Sequence, residues 1–146
     1  MKTKLRITKT VSVLLVSLML FSALFVSCAE KKELGELWKD AVYTEDVTLG
    51  EGNKEVKVTV KAGEDEIVIT LKTDAKTLGE ALLSNKIVEG DNSEYGLYIK
   101  KVNGIRADYD KDKAYWGFYK GGELMMSGVD STDISGGEAF ELVYEK

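Results

Sequence analysis

Alternation of apolar and polar side chains is the clearest pattern in the chain. Val56, Val58 and Val60 alternate with charged or hydroxyl side chains, so a strand here would place its apolar side chains on one face. A turn-like segment at residues 62–65 and a β-branched run at 67–71 follow directly. The pattern therefore predicts a hairpin with one face in the core and the other in water.

A short helix is predicted after this hairpin, over residues 78–86. Thr77 is followed three positions later by Glu80, which is the spacing of a capping box. Leu78 and Leu82, with Ala81 beside them, would line one side of the helix. A helix of this length gains its stability from packing, so we expect it to lie on the sheet.

Strand-like segments separated by glycine turns continue to the C terminus. Asn103-Gly104 is the strongest two-residue hairpin signal in the chain, and Gly121-Gly122 predicts another turn. The predicted strands are residues 97–102, 105–107, 115–119, 124–126 and 140–144, and the predicted loops are residues 90–94 and 108–113. The order predicts an α+β fold, with one mostly antiparallel sheet and a single helix on one face, in a β-grasp-like arrangement.

The N-terminal 27 residues have the pattern of a secretory signal peptide. Basic residues and no acidic ones lie within the first ten positions, and an apolar run follows at residues 11–26. The run is shorter than the roughly 20 residues that cross a bilayer as a stable helix. An uncleaved N-terminal anchor is the alternative, and either interpretation predicts that the rest of the chain is exported.

The only cysteine, Cys28, directly follows this segment. Residues 24–27 and Cys28 resemble a bacterial lipobox, in which the cysteine thiol receives a diacylglyceryl group and becomes the mature N terminus. Two or more acyl chains on one residue give a stable anchor. We therefore expect an extracytoplasmic protein held at the bacterial cell membrane by lipidated Cys28.

Residues 28–52 are predicted to form a partly ordered tether. They are mostly polar, although Leu34, Leu37, Trp38 and Val42 have near-helical spacing and could form a short helix or pack on the domain edge. A flexible segment of this length spans on the order of 25–30 Å. This leaves residues 53–146 as the folded domain.

Composition excludes several function classes. The chain has no histidine, one cysteine and a net charge of −5, which argues against most enzymes, cysteine-rich zinc sites and nucleic-acid partners. Asp108, Asp110 and Asp112 have the spacing of a calcium loop, but Lys113 and Tyr119 occupy the positions where the loop requires glycine and glutamate. A solvated turn is the better interpretation, and we predict neither a metal site nor an enzyme.

The segment from residue 115 to residue 126 is the candidate binding site. In a strand, Trp116 and Phe118 face one way while Tyr115, Gly117 and Tyr119 face the other, and the core needs only one of these faces. The alternative is that all of these side chains pack in the core. The candidate ligand-binding residues are Trp116, Phe118, Tyr119, Met125 and Met126, on an exposed aromatic–methionine hairpin.

Five short motifs in this order resemble the transcobalamin-like C-terminal domain, the DUF4430 family, over residues 53–146. The motifs are residues 77–82 (TLGEAL), 95–99 (YGLYI), 102–105 (VNGI), 115–119 (YWGFY) and 127–130 (SGVD). In vertebrate members this domain closes over cobalamin held by a helical domain, which the present sequence does not contain. By position, the resemblance implies ligand contacts from Phe118, Tyr119 and Met125, with Trp116 and Met126 as neighbours.

These observations lead to two hypotheses about function. The first is a lipid-anchored extracytoplasmic binding protein for cobalamin, another corrinoid or another flat apolar ligand. The second is a cell-surface interaction module that adheres to a protein or a glycan. No cofactor is predicted beyond the corrinoid as a possible ligand.

Overall fold

The predicted hairpin is present in the computed structural model, which describes residues 33–146. The predicted signal peptide and Cys28 lie outside the described residues. The strands are β1 (Val47–Leu49), β2 (Lys54–Ala62), β3 (Asp65–Thr73), β4 (Val88–Ser93), β5 (Gly96–Val102), β6 (Ile105–Arg106), β7 (Tyr115–Lys120), β8 (Glu123–Leu124) and β9 (Ala139–Glu145). The helices are α1 (Leu78–Ser84) and α2 (Tyr109–Asp112), with 3-10 turns at Glu36–Asp40 and Val129–Ser131.

A six-stranded mixed sheet forms the larger layer, in the order β1-β3-β2-β9-β7-β8. Strand β2 pairs with β3 antiparallel over their full length and with β9 parallel on its other side. The predicted alternation of buried and exposed side chains along β2 is confirmed, because Val56, Val58 and Val60 are fully buried. The inner face of this sheet contributes to a single apolar core that includes Leu78 and Leu82 of α1.

A second, three-stranded antiparallel sheet, β4-β5-β6, corrects the prediction of one sheet. Strand β4 covers most of residues 90–94, which were predicted to be a loop. All its residues after Val88 are exposed, and a register shift lies between Glu89 and Gly90. A strand with water on both faces has no apolar alternation, so its sequence resembles a loop.

Helix α1 confirms the predicted capping box, although the helix ends at Ser84 rather than at residue 86. The Glu80 backbone N–H donates to Thr77 Oγ1 at 3.3 Å, and the Thr77 N–H donates to Glu80 Oε2 at 3.4 Å. The prediction of a single helix is wrong, because a second, four-residue helix, α2, lies within residues 108–113, where a loop was expected. Asp108 caps α2 by accepting the Lys111 N–H at 3.2 Å.

The Asn103-Gly104 hairpin is confirmed, with φ of 50° and 83° at the two central residues. Positive φ at both positions is the requirement of the tight hairpin turn that this dipeptide favours. The buried Asn103 side chain also binds the N-terminal segment: its Oδ1 accepts the Tyr43 N–H at 2.9 Å, and its Nδ2 donates to the Tyr43 carbonyl at 2.8 Å. The turn therefore holds two distant parts of the chain together.

Most of the predicted tether belongs to the folded unit, which includes residues 33–52. Trp38 is only 3% exposed, and its indole N–H donates to the Ala62 carbonyl at 2.9 Å. Strand β1 adds three residues in parallel to β3. The folded unit therefore extends well N-terminal to residue 53, because one buried tryptophan and one short strand attach a mostly polar segment. No helix within the described part of the chain is long and apolar enough to span a bilayer.

Candidate functional site

The candidate hairpin forms at the edge of the large sheet, where β8 pairs with the end of β7 across Gly121-Gly122. Both glycines have positive φ, of 60° and 80°, which a tight turn between these strands requires. Strand β7 also pairs antiparallel with β9, so its alternate side chains point to the core or to the outer face of the sheet. This alternation divides the predicted site residues between two faces.

Trp116 and Phe118 lie on the core face and are only 7% and 8% exposed. The Trp116 ring packs edge-on against Tyr144 at 5.6 Å, and Phe118 lies 5.6 Å from Phe140. Their burial corrects the expectation of an exposed aromatic surface at these two positions. The Trp116 indole N–H has no hydrogen-bond acceptor among the described residues.

Tyr119 lies on the outer face and is half-buried. Its ring covers Gly117, since a Cβ added there would meet Tyr119 Cε2 at 2.7 Å. The Tyr119 hydroxyl donates to Glu145 Oε1 at 2.8 Å, and this hydrogen bond raises the pKa of the hydroxyl above its ordinary value. The protonated phenol is therefore a stable donor to Glu145 and fixes the ring over Gly117.

Met125 and Met126 differ sharply in exposure. Met125 is half-buried against the core, and its backbone N–H donates to the Phe118 carbonyl at 2.8 Å. Met126 is 97% exposed. A fully exposed methionine in the loop after β8 offers a flexible, polarizable apolar surface.

The loop that carries Met126 is held against two other segments at Asp130. A Cβ added to Gly79 of α1 would lie 2.7 Å from Asp130 Cα, and one added to Gly96 would lie 2.7 Å from Asp130 Oδ2. A Cβ added to Gly128 would lie 2.6 Å from Oδ1 of the same carboxylate. Three glycines therefore surround Asp130, and each belongs to a different short motif noted in the sequence.

This contact brings the β4–β5 turn to the loop after β8. Tyr95 precedes Gly96 in that turn and is 88% exposed. We use the name apolar rim for the exposed side chains of Tyr95 and Met126 together with half-buried Leu97 and Met125 of the same two segments. Sequence reasoning missed Tyr95 as a site residue. The signal that could have identified it was a motif glycine next to each exposed residue, Gly96 beside Tyr95 and Gly128 close to Met126, because glycines allow two segments to approach closely.

Metal-ligand residues do not cluster in the described part of the chain. No group of three or more His, Cys, Asp or Glu side chains within residues 33–146 could hold an ion. Asp108, the first carboxylate of the calcium-like spacing, instead caps α2 and lies 3.6 Å from Arg106. Its pKa is lowered, chiefly by the hydrogen bond from the Lys111 backbone N–H.

The family of the chain follows from two comparisons. Residues 75–146 match the family described as "Domain of unknown function (DUF4430)". A crystal structure of a proposed metal-binding protein from Ruminococcus gnavus ATCC 29149 is 42% identical, and the similarity covers 64% of this chain and 98% of that one, with a TM-score of 0.61. The chain belongs to the DUF4430 family. The family expected from the five motifs is thereby confirmed.

One further solved structure similar to this DUF4430 protein is haptocorrin in complex with Cbi. The two chains are 23% identical, with a TM-score of 0.48. The similarity covers 64% of this chain and 25% of the haptocorrin chain, so this chain spans about a quarter of that protein's length. No curated protein matches the sequence.

Proposed function

We propose that this DUF4430 protein is a binding protein rather than an enzyme, and that its apolar rim receives the flat apolar face of a ligand such as a corrinoid. The observation that carries the proposal is the near-complete exposure of Met126 and Tyr95 on two segments that Asp130 holds together. Interaction sites are marked by contiguous exposed apolar patches, and in this proposal these two segments together provide one.

The geometry of the rim fits a broad, shallow contact better than an enclosed one. Half-buried Met125 and Leu97 pack against the core, so each of the two segments that carry the exposed side chains is anchored to it. Buried Phe118 supports Met125 from the neighbouring strand through the backbone hydrogen bond between them. In this proposal Trp116 and Phe118 support the site, and Met126 and Tyr95 contact the ligand.

The corrinoid is suggested by the resemblance of the five motifs to transcobalamin-like C-terminal domains. Two of the three ligand-facing positions implied by that resemblance, Phe118 and Met125, lie on the core side of the sheet, and Met125 directly precedes Met126. Tyr119, the third, lies on the opposite face. A surface that contacts only one side of the ligand leaves the other side in water. We therefore expect weaker binding than in a site that encloses the ligand between two domains.

Calorimetric titration of the purified protein with cobinamide and with cobalamin tests this proposal. Met126→Ala is expected to weaken binding by about fivefold to tenfold, because it removes an exposed apolar side chain from the contact. Tyr95→Ala is expected to have a similar effect for the same reason.

Tyr109→Ala is the matched control, because it removes another exposed aromatic ring, at the first residue of α2 and outside the two segments of the rim. It should leave the affinity unchanged. The absence of heat with both corrinoids at high micromolar concentration would contradict the corrinoid proposal.

We also propose that the protein is exported and held at the membrane by lipidated Cys28. The described fold begins at residue 33, so only residues 29–33 separate Cys28 from Leu34, which packs against the core. Fully extended, this segment reaches about 20 Å. A lipid on Cys28 would therefore hold the domain closer to the bilayer than the predicted 25-residue tether would.

Cys28→Ser tests the anchor. The substitution is expected to move the protein from the membrane fraction to the soluble exported fraction, because no acyl chain can be attached. Incorporation of labelled fatty acid should be lost at the same time. Ser27→Ala keeps a small residue before the cysteine and should leave both measurements unchanged; membrane retention by Cys28→Ser would contradict the proposal.

For the fold, we propose a β-grasp variant. The first hairpin precedes the helix, and the last strand returns parallel to β2 in the middle of the sheet. Strands β4, β5 and β6 are then a second layer added to that arrangement.

A further inference from the structure

A row of side chains crosses the outer face of the large sheet, opposite to the core. The strand registers pair Val68 with Thr59, Thr59 with Glu141, Glu141 with Tyr119 and Tyr119 with Leu124. Paired residues point to the same side, so these five residues form a continuous line, which we call the cross-strand row. Four strand spacings of roughly 4.8 Å make the row about 19 Å long.

A groove of about 350 Å³ opens at the β3 end of the row. It contains Val68 of the row, and four of its six lining residues carry hydroxyl or charged side chains. The lining residues are Asp46, Val47, Thr48, Lys57, Val68 and Thr70. The Lys57 ammonium makes no ion pair within residues 33–146. The groove therefore offers hydrogen-bonding groups in line with the row.

Next to the β8 end of the row, Tyr119 of β7 presents an aromatic ring. Ring atoms Cε2 and Cζ of Tyr119 lie over Gly117, and Glu145 holds the hydroxyl, so the ring is fixed on the outer face of the sheet. The side chain is only half-buried, which leaves part of the ring open to a ligand. Beside it, Glu141 accepts from the Lys61 ammonium at 2.6 Å, and this hydrogen bond raises the pKa of Lys61. An apolar surface is therefore bordered by fixed polar groups.

The row combines apolar and hydrogen-bonding side chains, and this pattern indicates the kind of ligand. Val68, Tyr119 and Leu124 offer apolar contact, whereas Thr59, Glu141 and the groove offer donors and acceptors. A pyranose sugar has the same two properties, since its C–H faces pack on aromatic rings and its edges carry hydroxyl groups. We propose that the cross-strand row binds a neutral linear oligosaccharide with equatorial linkages, whose sugar rings lie flat across the strands.

Charge and composition argue against two other kinds of partner on this face. A nucleic acid would be repelled by a chain of net charge −5. The core of a protein–protein interface is depleted of charged residues, whereas this face carries the Lys61, Glu66 and Glu141 ion pairs beside its centre. The row lies on the opposite side of the sheet from the core and does not depend on the apolar rim.

Titration of the full-length protein with cellotetraose and with tetra-N-acetylchitotetraose tests the inference. We expect at least one tetrasaccharide to bind and to shift the methyl resonances of Val68 and Leu124, at the two ends of the row. Tyr119→Ala should weaken binding by about tenfold, because it removes the only flat ring of the row. Lys57→Ala, at an exposed position, should weaken it by about threefold through the lost hydrogen bonds.

Met126→Ala separates this inference from the corrinoid proposal, because it should leave tetrasaccharide binding unchanged while it weakens corrinoid binding. Circular dichroism of Tyr119→Ala should confirm that the variant is folded. The inference is overturned if neither tetrasaccharide shifts the two methyl signals, which is also the result expected if this face binds a protein. It is equally overturned if the folded Tyr119→Ala and the Lys57→Ala variants both bind with unchanged affinity.

Discussion

Replacement of Trp38 by alanine is expected to lower the free energy of unfolding by about 3–5 kcal/mol. Trp38 is almost fully buried in a segment that is otherwise polar, and its indole N–H donates to the Ala62 carbonyl. The substitution removes the largest apolar contact of the N-terminal segment and leaves that carbonyl without its donor. Chemical denaturation monitored by circular dichroism measures the effect.

Leu37→Ala is the matched control, since Leu37 is the adjacent residue of the same 3-10 turn but is exposed. Its expected cost is below about 1 kcal/mol. Trp38→Phe should fall between the two, because it keeps an aromatic ring in the core but loses the hydrogen bond. If Trp38→Ala costs no more than Leu37→Ala, the segment at residues 33–43 does not belong to the cooperative core.

Gly79→Ala is expected to destabilise the protein by about 1–3 kcal/mol. In an exposed helix the same change stabilises by roughly 1 kcal/mol, because alanine is the better helix former. Here the added methyl group would meet the Asp130 backbone, at 2.7 Å from Cα and 2.9 Å from the nitrogen. A backbone neighbour cannot rotate away, so the loop or the helix has to shift. Thermal unfolding gives the sign of the effect.

The same variant should also weaken corrinoid binding, because a displaced Asp130 moves the loop that carries Met126 relative to the β4–β5 turn. Gly35→Ala is the control: a Cβ there meets only the Asp65 carboxylate, at 3.4 Å, and the φ of −65° suits alanine. A Gly79→Ala protein at least as stable as the parent would show that α1 does not pack against Asp130 as closely as described here.

Elements stabilised by local rules were predictable from the sequence. The first hairpin follows from strict alternation, and the start of α1 follows from the reciprocal hydrogen bonds that Thr77 and Glu80 make within one turn. The Asn103-Gly104 turn follows from the positive φ that these two residue types tolerate. Each of these elements depends on residues within a few positions of one another.

Elements with no apolar pattern were not predictable in this way. Strand β4 is exposed beyond Val88, so its pairing with β5 leaves no mark on the order of apolar and polar residues. The near-helical spacing around Trp38 left open whether its segment packs on the domain, and the burial of Trp38 results from contacts with Ala62 and the core far along the chain. Both depend on long-range pairing, which local patterns do not encode.

The sequence by itself determined that Trp116 and Phe118 point opposite to Tyr119, since successive side chains of a strand alternate. Only the tertiary structure decided which of these faces is the core, because either face is apolar enough to be buried and the choice depends on what packs there. The three motif glycines are likewise visible in the sequence, but their shared contact with Asp130 forms only when α1, the β4–β5 turn and the loop after β8 come together.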